Sequence, residues 1–291
     1  MRTFQQVSAM RAYMRAVRED RRSVGFVPTM GALHEGHLSL IRRARGDCDV
    51  VVVSIFVNPT QFGANEDFSR YPRDLSRDSR LTQEAGVDAL FNPEVEEIYP
   101  PGFQTFVEAP QIAKRWEGEM RPGHFRGVAT VCVKLFQIVQ PDRAYFGMKD
   151  YQQLKVIERV VSDLNIPLTV VPCPTVREPD GLAMSSRNVY LDAASRSSSL
   201  TIHRALKRVE ELHEQGEQSA SVLEKAMHDI LRSDPAIQID YAVIVDSETL
   251  EPVESLEKKG VALIAVRIGS TRLIDNLVLG GKLALPVKNH A

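Results

Sequence analysis

The chain has 291 residues, 43% of them hydrophobic, and a formal net charge of -2, an ordinary globular composition long enough for one large α/β domain plus a smaller one. That charge offers a polyanion no general attraction, so nucleic acid is disfavoured as a partner, and no apolar run approaches membrane-spanning length. Cys48, Cys132 and Cys173 are odd in number, widely spaced and set among apolar residues, which suits reduced thiols in a reducing, cytoplasmic compartment.

Residues 1–22 are arginine-rich and periodic but lack an apolar signal core and include Glu19 and Asp20; a surface helix is expected, with a transit peptide as the alternative. Residues 24–27 read as a buried strand, and Leu38, Leu40, Ile41 and Ala44 as the apolar face of a helix, joined through Thr29, Gly31 and Gly36. The join is Met30-Gly31-Ala32-Leu33-His34-Glu35-Gly36-His37. Three residues turn a helix through about 300°, so His34 and His37 share a face. Glycines allow close backbone approach and unpaired amides at a helix start favour an anion, while two imidazoles add donors for charge developing on phosphorus. Zinc binding fits poorly, because a metalloprotease helix spaces its histidines four apart and no cysteine pair supplies further ligands. A structural pair capping the helix is the other alternative.

The β-branched run over 49–57 suits a strand covered on both faces, and it ends in the turn signal Asn58-Pro59-Thr60-Gln61-Phe62-Gly63. A helix over 75–85 and a short strand over 88–91 follow, stopped by Asn92-Pro93. Residues 104–108 read as another strand and 114–118 as a short turn, with Trp116 assigned to packing. Nearly every position from 128 to 139 is apolar, which predicts a helix buried on most faces and ended by Pro141. A strand over 144–147, a helix over 151–164 with Asp150 as N-cap, and a strand over 168–171 complete the series. Repeated strand and helix pairs imply an α/β, Rossmann-like parallel sheet domain over 1–175. From Val176 the texture changes: a turn at 177–181, polar helices over 194–215 and 219–232, and strands over 240–245, 261–268 and 271–279 imply a smaller C-terminal α+β domain over 176–291. There is no internal repeat.

Four further segments are polar or glycine-bearing where a parallel sheet exposes its strand ends: Phe56 to Phe62, Arg121-Pro122-Gly123-His124-Phe125-Arg126-Gly127, Gly147-Met148-Lys149-Asp150-Tyr151-Gln152-Gln153, and Met184-Ser185-Ser186-Arg187-Asn188. In this order, with the histidine segment, they closely resemble the pantothenate synthetase family, the pantoate:β-alanine ligases of the nucleotidylyltransferase superfamily. The likeness runs over about 26–191, without departure at the motif positions, and weakly beyond.

The resemblance implies a nucleotidylyltransferase-type fold and ATP-dependent condensation of (R)-pantoate with β-alanine through a pantoyl-adenylate, giving pantothenate, AMP and pyrophosphate. It implies that Met30, Gly31, Ala32, Leu33, His34, Glu35, Gly36 and His37 contact ATP, with His34 and His37 at the phosphates and His37 the proton donor. Gln61 would bind pantoate near the β-alanine position, and Gln153 would hold pantoate. Gly147, Met148, Lys149 and Asp150 would bind ATP, with Lys149 toward the phosphates. Val176 would touch adenine, and Met184, Ser185, Ser186 and Arg187 would cover the triphosphate. Magnesium is expected with ATP, with Asp78 the candidate carboxylate near it, and a cytoplasmic homodimer is implied. Arg121 to Gly127 reads equally as a substrate-site lid or as the turn that starts the buried helix. Competing functions are a nucleotidylyltransferase acting on a phosphate acceptor, which would want cationic residues where Asn58, Gln61 and Gln153 stand, and a regulatory or tRNA-binding protein on the same fold, which the near-neutral charge disfavours.

Overall fold

A computed structural model of the chain describes residues 1–64, 66–257 and 259–280. The chain separates into two compact units between Pro174 and Thr175.

The first unit begins with a short strand, β1 (Arg2–Phe4), and α1 (Val7–Glu19), whose Met10, Met14 and Val17 are buried at helical spacing while its arginines face out. Strand and helix then alternate through β2 (Val24–Thr29), α2 (Glu35–Asp47), β3 (Val50–Ile55), α3 (Leu75–Glu84) and β4 (Ala89–Phe91). Two helical turns, α4 (Val95–Ile98) and α5 (Glu117–Met120), lead to α6 (His124–Val139), β5 (Arg143–Gly147), α7 (Tyr151–Asp163) and β6 (Thr169–Cys173). Among the described residues the strands form one parallel sheet in the order β1-β4-β3-β2-β5-β6. Val50 to Val53 are fully buried because helices cover both faces, which is why this strand shows no polar alternation.

The second unit carries α8 (Ala193–Glu214), α9 (Ala220–Arg232) and an antiparallel sheet of β7 (Ile237–Asp246), β8 (Gly260–Ile268) and β9 (Thr271–Leu279) in that order. Leu206, Val209, Leu223 and Met227 of the helices meet Ile244, Ile264 and Val266 of the sheet in its core.

Three expectations change. Residues 104–108 form no strand: the Val107 amide donates to Thr130 Oγ1 of α6 at 3.0 Å and Val107 packs beside Phe125 and Ala129, so contact with a helix overrides β propensity. The buried helix starts at His124, four residues earlier than its apolar run, behind Gly123 in the left-handed region (φ 84°), so Arg121 to Gly127 is the entry to α6. Asp150 stands at the cap position of α7 but its side chain makes no capping bond, because the 3-10 turn Met148–Asp150 leads directly into the helix.

Candidate active site

The carboxyl ends of β3, β2 and β5 lie side by side, and the chain leaves β2 for β3 on one side and returns through β5 on the other. Open parallel sheets bind ligands at such a switch point.

The turn after β2 places Gly31 (φ 81°) and Ala32 (φ 51°) consecutively in the left-handed region. For alanine that conformation costs on the order of 1 kcal/mol and needs outside support. Asp78 of α3 supplies it: its carboxylate, 1% exposed, accepts the Ala32 amide at 2.8 Å and the Leu33 amide at 2.9 Å. A Cβ on Gly31 would come within 2.9 Å of that carboxylate, so this position requires glycine for space as well as for conformation. Burial pushes the Asp78 pKa up, against the two amide bonds. Asp78, expected near magnesium, thus holds the turn that carries the motif. Among the described residues no group of three or more His, Cys, Asp or Glu could hold a metal ion.

The two imidazoles cap their own helix. His34 is the N-cap of α2, and its Nδ1 accepts the Gly36 amide at 3.1 Å; His37 Nδ1 accepts the His34 amide at 3.3 Å, with ring centroids 4.2 Å apart. A backbone amide only donates, so each Nδ1 is an acceptor and the neutral ring carries its proton on Nε2. Burial, and then the neighbouring His34, lower the His37 pKa to about 3, with Lys149 adding to the effect and Asp150 opposing it. His37 is therefore a neutral Nε2–H donor. The capping and phosphate-binding readings of these histidines are compatible, because the cap uses Nδ1 alone.

The turn after β5, Met148–Asp150, stands at the carboxyl end of the strand next to β2. Lys149 Nζ stands 3.4 Å from Asp150 Oδ1. Gln153 is the third residue of α7 and half-buried. Its neighbour Gln152 is a support instead: it accepts the Glu117 amide at 3.0 Å and donates to the Ile112 and Arg115 carbonyls at 2.9 and 3.0 Å.

In the turn after β3, Gln61 is 7% exposed; its Nε2 lies 3.2 Å from Met30 Sδ and its Oε1 accepts from Asn58 Nδ2 at 3.0 Å. Gly127 of α6 touches this turn so closely that a Cβ there would sit 2.4 Å from the Thr60 oxygen and 2.6 Å from the Gln61 nitrogen. Sequence reasoning missed Tyr99 and Glu66, and it gave no task to Asn58. Only the position of Asn58 at a strand end hinted at one.

In the second unit, the Met184 amide donates to the Val176 carbonyl at 3.0 Å, so two expected ATP contacts face each other across a small antiparallel bridge, Arg177 to Ala183. Ser185 Oγ caps the 3-10 turn Ser186–Tyr190 by accepting the Arg187 amide at 3.2 Å. Asn188 donates to Glu178 at 2.8 Å and Arg196 pairs with both Glu178 and Asp180, which ties the two sides of this loop together.

The family model described as pantoate-beta-alanine ligase matches residues 2–278. The pantothenate synthetase of Thermotoga neapolitana is 54% identical over 280 residues, covering 96% of this chain and 100% of that one, and that of Moorella thermoacetica is 55% identical over 279 residues, covering 96% and 99%. The crystal structure of pantothenate synthetase from Thermus thermophilus superposes with a TM-score of 0.90 at 52% identity over 95% of this chain and 99% of that one. That of pantoate-beta-alanine ligase from Francisella tularensis, complexed with beta-gamma ATP and beta-alanine, superposes with a TM-score of 0.78 at 35% identity over 96% and 97%. The chain belongs to the pantoate-beta-alanine ligase family.

Proposed function

We propose that this member of the pantoate-beta-alanine ligase family joins (R)-pantoate to β-alanine in two steps on the first unit. A pantoate carboxylate oxygen attacks the α-phosphorus of ATP; the bond to the bridging oxygen breaks and pyrophosphate leaves, giving a pantoyl-adenylate. The β-alanine amine then attacks the acyl carbonyl, a C–N bond forms, the C–O bond to phosphate breaks, the amine proton is lost, and AMP leaves with pantothenate. Neither step needs a protein nucleophile. The three cysteines agree with that, since each is buried with its thiol pKa pushed up by burial.

The observation that carries the reading is the placing, at the neighbouring ends of β2, β3 and β5, of two Nε2–H donors, Lys149 and the buried amide of Gln61. We propose that Met30 to His37 contact ATP through their backbone and rings, and that His34 and His37 donate to phosphate oxygens as negative charge develops there. A ring kept neutral by burial can strengthen such a bond without releasing its proton, so His37 acts by hydrogen-bond donation. Lys149 supplies fixed positive charge for the departing pyrophosphate, Gly147, Met148 and Asp150 complete the nucleotide contacts, and Gln61 and Gln153 bind pantoate.

On the second unit, Val176 and Met184 to Arg187 are proposed ATP contacts, Arg187 through its charge and Ser185 and Ser186 through hydroxyl donors. Magnesium would arrive on the ATP phosphates, since the described residues build no protein cage for it. A cytoplasmic homodimer completes the proposal; among the described residues no helix is long and apolar enough to cross a membrane.

The test is product analysis with ATP, pantoate and β-alanine. AMP, pyrophosphate and pantothenate in equal amounts are expected; ADP, or turnover that does not need pantoate, would overturn the reading.

A further inference from the structure

A glutamine can turn either end of its amide toward a ligand, and the structure fixes which end Gln61 presents. Asn58 Oδ1 accepts from Tyr99 Oη at 2.9 Å, from the Thr60 hydroxyl at 2.9 Å and from the Thr60 amide at 3.4 Å. Asn58 Nδ2 faces the Gly127 carbonyl at 3.1 Å and Gln61 Oε1 at 3.0 Å. A carbonyl oxygen can only accept, so the group facing Gly127 must be the Asn58 NH2. Its second proton then meets the Gln61 oxygen, and the Gln61 NH2 is left on the Met30 side, where one N–H donates to Met30 Sδ at 3.2 Å and the other remains for a ligand. Burial pushes the Tyr99 pKa up to about 12, so the chain keeps its first proton. Donation runs one way, from Tyr99 through Asn58 to Gln61, and each link polarises the next.

A second brace holds the main chain of the same residue. His124, 7% exposed, places Nδ1 2.9 Å from the Gln61 carbonyl, and Arg121 Nη1 lies 3.2 Å from His124 Nε2. A guanidinium only donates, so Nε2 accepts, the ring proton is on Nδ1, and Nδ1 donates to Gln61. Arg121 is locked in turn by a two-bond pair with Glu66, at 2.8 and 2.6 Å. Burial, and then the Arg121 charge, lower the His124 pKa to about 4 and keep this ring neutral.

We infer that Tyr99 and His124 are positioning residues for the acid substrate: Tyr99, through Asn58, turns the remaining Gln61 N–H toward the substrate, and His124, backed by Arg121 and Glu66, fixes the backbone that carries it. The site at Gln61 accordingly selects a lone-pair oxygen, from a carboxylate, carbonyl or hydroxyl, and discriminates against an amine or other donor-only group at that point. The inference rests on the reading of Gln61 as a substrate amide.

Steady-state kinetics of four variants test it, with KM for pantoate and for ATP measured separately and folding checked by thermal unfolding. Asparagine can put an N–H where His124 Nδ1 stands, whereas glutamine cannot. His124→Gln should raise the pantoate KM about tenfold, the equivalent of about 1.4 kcal/mol for one lost bond, with ATP KM changed less than twofold. His124→Asn should recover most of that loss, and Tyr99→Phe should raise the pantoate KM severalfold. If His124→Asn is as impaired as His124→Gln, or if both KM values rise together, His124 is packing and the inference fails. Gln61→Glu, which replaces donors by acceptors, should raise the pantoate KM more than any of these. If it leaves that KM unchanged, the reading of Gln61 itself falls and the inference with it; an effect at Gln61 without the His124 pattern overturns the inference alone.

Discussion

The turn after β2 holds its two imidazoles by itself, whereas the turn after β3 is held from far along the chain. His34 and His37 are fixed by amides two and three residues away, at the start of the helix they cap. Gln61 depends on Tyr99, Gly127 and His124, with bonds spanning 41 to 69 positions of sequence. The turn proposed to contact the nucleotide, built from helix-start geometry, is thus a local device, and the proposed acid pocket beside it is a product of tertiary packing. Asp78 is the exception on the first side, a single distant support for a strained backbone.

The largest expected effect tests the local device. Removing the donor in His37→Ala, or the charge in Lys149→Ala, should slow pyrophosphate release in the first turnover by on the order of 10²–10³ while leaving pantoate affinity nearly unchanged. Near-normal release from either folded variant would remove that residue from its role.

Acidification strikes both turns. The folded-state pKa values of His37 and His124 are lowered, to about 3 and about 4, below the value near 6.5 of an unfolded histidine, so the unfolded state takes up protons first. Stability is unaffected by these groups above pH 6.5 and falls as the pH drops from there toward 4, by about 3 kcal/mol for His124 alone. Urea denaturation across that range checks it, and His124→Asn should flatten the fall; a flat profile in the parent protein would refute the neutral rings.

Smaller effects separate the two kinds of support. Asp78→Asn retains one acceptor but sets an NH2 against a backbone amide, and should cost roughly 1–3 kcal/mol of stability and raise the ATP KM. An altered magnesium requirement without loss of stability would instead make Asp78 a metal carboxylate. Gly127→Ala forces α6 away from Thr60 and Gln61, and should cost about 1–3 kcal/mol and raise the pantoate KM with little change for ATP.

The same contrast explains what could be read from the sequence. The alternation of β-branched runs with amphipathic helices was enough for the parallel sheet, because each signal lies within one element, and the capping pair of histidines was legible because the rings and the amides they accept are neighbours. The residues around Asn58 and Gln61 spell only a turn, and the substrate role of Gln61 came from the family resemblance; the support that fixes it did not show, since nothing in their vicinity reveals a tyrosine 41 positions on. Asp78 was read as a carboxylate near magnesium, and its hold on the Ala32 and Leu33 amides could not be read from the sequence because those partners lie 46 and 45 positions away. Residues 104–108 read as a strand because β propensity says nothing about Thr130, which takes the Val107 amide.

The most direct test of the account is exchange of labelled pyrophosphate into ATP. Exchange should require pantoate, need no β-alanine, and vanish in His37→Ala. Exchange without pantoate, or only when β-alanine is present, would contradict attack by the pantoate carboxylate on the α-phosphorus as the step this site performs.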